Sequence, residues 1–236
     1  MRHEWNISPK EAIALQKELS DQVSLVPCLK PIETIGGADV SMNRFAKEGF
    51  AGFVTLTYPE LTLIDHAVTK AAIPFPYIPG LLSFREIPML LRAWEKLATK
   101  PDVLVVDGIG IAHPRRFGIA SHLGVLLDIP TIGCAKNVLV GTYEEPPEEP
   151  GSYSNLIHKG EVVGAALRTK VRVKPVFVSP GHLITIPEAV ALAASCVRRH
   201  RLPEPTRLAH NTVNEFRIAS SLPHTSPATV SLDAIK

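Results

Sequence analysis

The feature that most constrains the fold is a short apolar run that ends in a carboxylate. Residues 103–106 read Val-Leu-Val-Val and are followed by Asp107, Gly108 and Gly110. A β-branched run of this length suits a strand buried on both faces. His113 and Pro114 follow in a loop, residues 117–127 carry a helical apolar pattern, and residues 130–134 form a second apolar run with Lys136 just beyond it. Strand, acidic loop, helix and strand make a βαβ unit. In open α/β sheets function collects beyond the carboxyl ends of the strands, where Asp107, His113 and Lys136 are expected.

Upstream, Ser8-Pro9-Lys10-Glu11 starts a helix expected to run to about residue 23, with Ser as cap and Glu completing a capping box. Three strands are expected over 32–42, 52–57 and 61–67, in an antiparallel meander, the first carrying Asp39. Residues 73–80 hold Pro74, Pro76 and Pro79, which exclude a helix and resist a central strand. A stiff exposed loop with Tyr77 near its tip is expected there; a buried Tyr77 anchoring the loop is the alternative. A helix then runs to about residue 100, with Glu86 at or just before its first turn and Pro88 close behind. Downstream come a polar Glu/Pro loop over 144–151, a hairpin of 153–157 and 161–167, a short strand over 175–178 ended by Pro180-Gly181, and helices from Pro187 to about 200 and from Pro205 to about 220. The expected architecture is one α/β domain over residues 1–222, a mixed sheet of three antiparallel strands and then parallel strands, flanked by helices. The Ser/Thr/Pro-rich residues 223–236 are expected to be a mobile tail.

The chain has no apolar run of membrane-spanning length, its first residues lack the apolar core of a signal peptide, and Cys28, Cys134 and Cys196 are too few and scattered for a disulfide framework or a zinc site. These features predict a reduced, cytoplasmic protein. Net charge is only +2, yet residues 168–217 hold nine Lys or Arg against three Glu. A basic face for phosphates and a scatter of solvated charges both fit that distribution.

If the first and fourth strands are neighbours, Asp39 and Asp107 come together and Glu86 reaches them from a helix. Clustered carboxylates raise one another's pKa unless a cation is present, and hard oxygen ligands suit Mg²⁺ or Mn²⁺. Singly, each residue has an ordinary reading. Asp39 can be a hydrogen-bonded strand residue, Glu86 half of a capping box with Ser83, Asp107 a turn residue, His113 a loop histidine and Lys136 a solvated charge. The topology that joins them carries the argument.

The order of elements and acids resembles the ribonuclease-H-like nucleases. The segments GADVSM, PYIPGLLSFRE, VDGIGIAHPRRFGIASHLGVLLDIPTIGCAK and LPEPTRLAH are similar to the motifs of the endonuclease V family, and the resemblance spans about residues 36–210. It implies a Mg²⁺-dependent enzyme, with Mn²⁺ able to substitute. Such an enzyme cleaves DNA containing deoxyinosine at the second phosphodiester bond 3′ to the lesion, leaving a 3′-hydroxyl and a 5′-phosphate. Inosine-containing RNA is a second substrate class to weigh, and a monomer is expected. The resemblance makes Asp39, Glu86 and Asp107 metal-binding acids, and His113 and Lys136 polar residues near the metal and scissile phosphate. It makes Tyr77 a strand-separating wedge, and Gly80, Leu82, Gly108, Ile119 and Gly133 positions around a pocket for the flipped base. His210 becomes a DNA-facing residue. Competing readings are a non-catalytic nucleic-acid binder, which would need a broken acid cluster, and an actin-like phosphotransferase, for which no Gly-rich phosphate loop is present. Within nucleases the rival is a ribonuclease H or a resolvase.

Overall fold

The computed structural model describes residues 3–43 and 46–220; the expected tail at 223–236 lies outside the described residues. The elements in order are α1 (Pro9–Ser20), β1 (Thr34–Ser41), β2 (Glu48–Thr57), β3 (Leu63–Ala72), α2 (Leu82–Lys96), β4 (Val103–Asp107), α3 (Ile119–Leu127), β5 (Thr131–Ala135), β6 (Tyr153–His158), β7 (Glu161–Leu167), β8 (Val176–His182), α4 (Ile186–Ser195) and α5 (Glu204–Ala219). The strands form a single sheet in the order β3-β2-β1-β4-β5-β8-β7-β6. β1, β4 and β5 run parallel, and the meander β1-β2-β3 is antiparallel. The far side is antiparallel as well, through β8, β7 and β6. This is the mixed, ribonuclease-H-like sheet flanked by helices that the sequence predicts.

Period-2 alternation along the central strands sorts two cores. Leu104 and Val106 of β4 pack with Ile87, Met89 and Leu90 of α2 and Leu123 of α3. Val103 and Val105 pack on the other face with Ala189 and Ala193 of α4 and Ala209 of α5. β4 is therefore apolar from Val103 to Val106, because helices cover both of its faces, and turns polar only at Asp107. β1 is buried too, and Gly37 shows how tightly α5 lies on it: a Cβ there would stand 1.9 Å from the carbonyl oxygen of Pro205.

Several boundaries differ from expectation, most of them for a tertiary reason. β2 and β3 are longer than the pattern suggests, because backbone pairing continues to Glu48↔Ala72, with a Lys70–Glu48 ion pair of 2.8 Å on the way. Glu86 lies in the second turn of α2, and Pro88 sits inside that helix. The proline forfeits one intrahelical bond, but the helix already buries Ser83 and Phe84 ahead of it and Ile87, Met89 and Leu90 around it. β8 runs through Pro180, which pairs with Ile132 at a register shift, a position where a residue without an N–H is tolerated. α4 stops at Ser195 and not near residue 200: the Cys196 carbonyl accepts from the Glu204 N–H at 2.9 Å, and Arg198 Nη1 donates to the carbonyls of Ser195 and Val197. α1 stops at Ser20, with Asp21 as its C-cap.

Gly37→Ala should lower the chemical-denaturation midpoint, at a cost of roughly 1–3 kcal/mol, the usual penalty for overpacking. An unchanged midpoint would mean that α5 is free to lift from β1.

Candidate active site

The parallel register of β1 and β4 pairs Ala38 with Val106. The next residue on each strand is a carboxylate, so Asp39 and Asp107 emerge side by side at the carboxyl edge. Alternation turns both toward the face that carries α5. From α5, His210 Nδ1 comes within 3.1 Å of Asp39 Oδ2, and its Nε2 lies 2.8 Å from Asn214 Nδ2. Ligand atoms of Asp39, Asp107 and His210 all fall within 4.8 Å of one another. Two ligands of one Mg²⁺ at about 2.1 Å each stand at most about 4.2 Å apart, so a small inward shift of these side chains would bring the trio to that spacing. Lys136, at the end of β5, places Nζ 2.5 Å from Asp107 Oδ2.

Glu86 approaches from α2 on the opposite face. It is not a member of that trio, yet its charge is coupled to both aspartates. Burial, then the charges of Asp39 and Asp107, push its pKa up to about 8, against a partial offset from Arg85. Burial and then Asp107 push Asp39 up to about 6, while His210 and Lys136 pull the other way. The site thus holds more negative charge than its own cations neutralise. Buried oxygen donors with raised pKa values are what a hard divalent cation would stabilise in ionised form, so this donor set fits a metal ion.

Beside the acids opens a cavity of about 400 Å³, whose lining includes Tyr77, Gly80, Leu82, Gly108, Ile119 and Lys136, with Asp107 at its edge. The proline loop holds itself by Phe75, which is buried against Leu81 and Phe84, so that Tyr77 is left 70% exposed at the rim. The anchoring role that Tyr77 might have had belongs to Phe75. Gly133 does not line the cavity; it sits in β5 behind it. A Cβ there would meet Gly110 N at 2.5 Å and Ile109 Cα at 2.7 Å, so glycine is what lets the 108–110 loop lie down on the sheet.

His113 is brought to the cavity wall rather than among the carboxylates. Its Nε2 lies 3.0 Å from the Gly80 carbonyl, which can only accept, so Nε2 carries the proton. Nδ1 then accepts from the Arg115 N–H at 3.2 Å. Burial and the nearby Arg115 push its pKa down to about 4, in keeping with a neutral ring. The same Gly80 carbonyl also accepts from Arg115 Nη2 at 2.7 Å and Gln16 Nε2 at 3.0 Å. Sequence reading missed Gln16, Arg115 and Asn214. Only Asn214 left a signal, its i,i+4 spacing from His210 on one helix face.

Of the basic stretch only Arg168 is buried, while Arg172, Lys174, Arg198 and Arg199 are exposed. Arg168 is buried and bonds to Glu145 and to the carbonyls of Pro146, Pro147 and Val173. Arg198 and Arg201 also donate to main-chain carbonyls. Arg168 is a structural clamp, whereas Arg201 is half-buried and Arg198 and Arg199 are exposed, so a phosphate-contacting face and solvated charges both still fit the rest of the stretch.

Glu86→Gln should separate the electrostatic cost from the fold. A carboxyl whose folded pKa is raised contributes stability that is complete below its unfolded pKa and is lost as pH rises through the folded value. For Glu86 that window runs from about pH 4.5 to about 8. Without divalent cation, the wild type should lose stability relative to the Gln variant across it, by about 1.4 kcal/mol per pH unit at most. Parallel melting curves from pH 5 to 8 would contradict this placement of Glu86.

Residues 17–211 match the sequence profile described as Endonuclease V. The chain is 50% identical over 220 residues to an endonuclease V of Gloeobacter violaceus, covering 92% of this chain and 89% of that one. A crystal structure of endonuclease V from Streptomyces avermitilis superposes with a TM-score of 0.88 at 39% identity, covering 94% of this chain and 98% of that one. The Ciona intestinalis endonuclease V, crystallised with a 24mer DNA containing an inosine followed by a ribo-adenosine, superposes at 0.78 with 29% identity, covering 89% and 98%. With the match running across both strands that carry the aspartates and through the helix that carries His210, this chain belongs to the endonuclease V family.

Proposed function

We propose that the protein is a Mg²⁺-dependent repair nuclease, with Mn²⁺ able to substitute. It recognises deoxyinosine in DNA and hydrolyses the second phosphodiester bond 3′ to it, leaving a 3′-hydroxyl and a 5′-phosphate. The observation that carries this reading is adjacency: the base-sized cavity and the carboxylate cluster share Asp107 and Lys136 as a common wall. A base drawn out of the stack into that cavity would bring the flanking backbone to the acids. The Ciona relative bound to inosine-containing DNA supports the substrate class. RNA containing inosine is the second substrate class, and residues 1–222 are the proposed catalytic unit, acting as a monomer in the cytoplasm.

In this reading Asp39, Glu86 and Asp107 hold the cation, which when bound orients an attacking water and stabilises the leaving oxygen. Lys136 neutralises Asp107 and stands by the scissile phosphate. His210 holds the Asp39 carboxylate. His113, with Arg115 and Gln16, fixes the Gly80 carbonyl and so the rim of the pocket. Gly80, Leu82, Gly108 and Ile119 enclose the flipped base, whose extrusion costs a few kcal/mol, least for a damaged pair. Tyr77, presented on a proline-stiffened loop, fills the vacated place in the stack.

The test is an end-labelled duplex carrying one deoxyinosine, with and without Mg²⁺. A Mg²⁺-dependent nick at the stated bond is expected. Asp107→Ala should abolish it and leave lesion binding within a few fold; full Mg²⁺-dependent activity in that variant would remove Asp107 from the chemistry.

Tyr77→Ala should weaken binding to inosine duplex about 5- to 150-fold, as base–aromatic stacking of roughly 1–3 kcal/mol implies. Single-stranded inosine substrate should suffer less, because no duplex has to open. Equal losses on both substrates would rule out a wedge.

A further inference from the structure

Arg201 lies in the segment between α4 and α5, remote in sequence from every acid of the site. Its Nε donates to the Lys174 carbonyl at 2.8 Å, and its Nη2 to the carbonyls of Pro175 at 2.7 Å and Lys136 at 3.1 Å. Lys136 directly follows β5, and Pro175 directly precedes β8. The antiparallel ladder between these strands ends at Ala135↔Phe177. The guanidinium therefore takes over where strand pairing runs out, and joins the segments just beyond the paired ends of β5 and β8.

We propose that Arg201 is a positioning residue for Lys136: by fixing that residue's main-chain carbonyl it sets where the Lys136 ammonium meets Asp107. This rests on the reading of Lys136 as part of the cleavage machinery. A lysine side chain is a flexible four-carbon stem carrying a point charge, so its reach is set by its backbone origin. A guanidinium is a rigid planar fork with donors only, well suited to hold several carbonyls in fixed relation. Residues just beyond Lys136, from Asn137 to Leu139, line the cavity, so the same clamp fixes part of the pocket wall. Nε and Nη2 are committed to three carbonyls, which leaves Nη1 as the donor a phosphate could take and makes the salt dependence of binding the measurement that separates the two roles.

The test is a double-mutant cycle in the full chain on deoxyinosine duplex. Arg201→Gln should lower kcat about 10-fold, with KM and the salt dependence of DNA binding little changed. In a Lys136→Ala background the same change should cost less than about 2-fold, since coupled residues are not additive. Amide exchange in a peptide spanning residues 131–139 should rise in Arg201→Gln without DNA, while the midpoint of global unfolding moves little. Equal losses of kcat in both backgrounds would overturn the proposal in favour of a general structural role. A loss confined to KM, with a shallower salt slope, would overturn it in favour of a phosphate contact. Unchanged exchange and unchanged kcat would overturn it outright. If the wild type did not nick deoxyinosine, the functional reading would fail, and exchange at 131–139 would still decide whether Arg201 holds the strand end.

Discussion

Everything at the site depends on the parallel pairing of β1 with β4. That register sets Ala38 opposite Val106, and the pleat then turns the two following aspartates to the same face. Side by side and partly buried, they repel each other and Glu86. The raised pKa values of Asp39 and Glu86 come first from burial and then from that repulsion. Lys136 stands on Asp107, His210 on Asp39, and Arg85 offsets part of the charge on Glu86. An unbalanced negative cluster at the carboxyl edge of a sheet costs stability, and it is retained where a cation is to be bound.

The surroundings are organised to keep this edge from relaxing. Gly37 lets α5 lie against β1, which is what delivers His210. Gly133 lets the loop after β4 lie flat on β5. The Gly80 carbonyl is gripped by Gln16, Arg115 and His113, from α1 and from the loop after β4. Arg201 closes the gap between β5 and β8. These devices tie helices and loops to the sheet or to one another through main-chain atoms, which holds the cavity wall in place. Tyr77 is the exception by design of its loop: Phe75 takes the buried anchor, and Tyr77 stays in solvent.

Charge composition is ambiguous at this level. The excess of Lys and Arg over residues 168–217 fits both a face toward phosphates and scattered solvated charges. In the fold, Arg168, Arg198 and Arg201 spend their donors on carbonyls left over by helix ends and loops. Unsatisfied buried carbonyls are costly, and guanidinium groups with several donors are the economical way to satisfy a group of them. The sequence cannot distinguish an arginine facing inward from one facing water, because both occur in the same polar, proline-rich segments.

The sequence by itself determined the element order, the βαβ unit around Asp107 and the exposed proline loop, and it offered Asp39, Glu86 and Asp107 as candidate acids. These follow from local rules: strand-length apolar runs, the restricted backbone of proline, helix caps at Ser8, and carboxylates at strand ends. Tertiary structure alone decided that Glu86 lies in the second turn of a helix that contains Pro88, that β8 runs through Pro180, and that α4 ends at Ser195, because packing and long-range hydrogen bonds outweigh local propensity at those places. It alone decided that His113 is a neutral brace on Gly80 and that His210 joins Asp39. Which nitrogen faces which oxygen depends on how two elements cross in space, and residues 171 positions apart, as Asp39 and His210 are, leave no trace of that meeting in either one's local sequence.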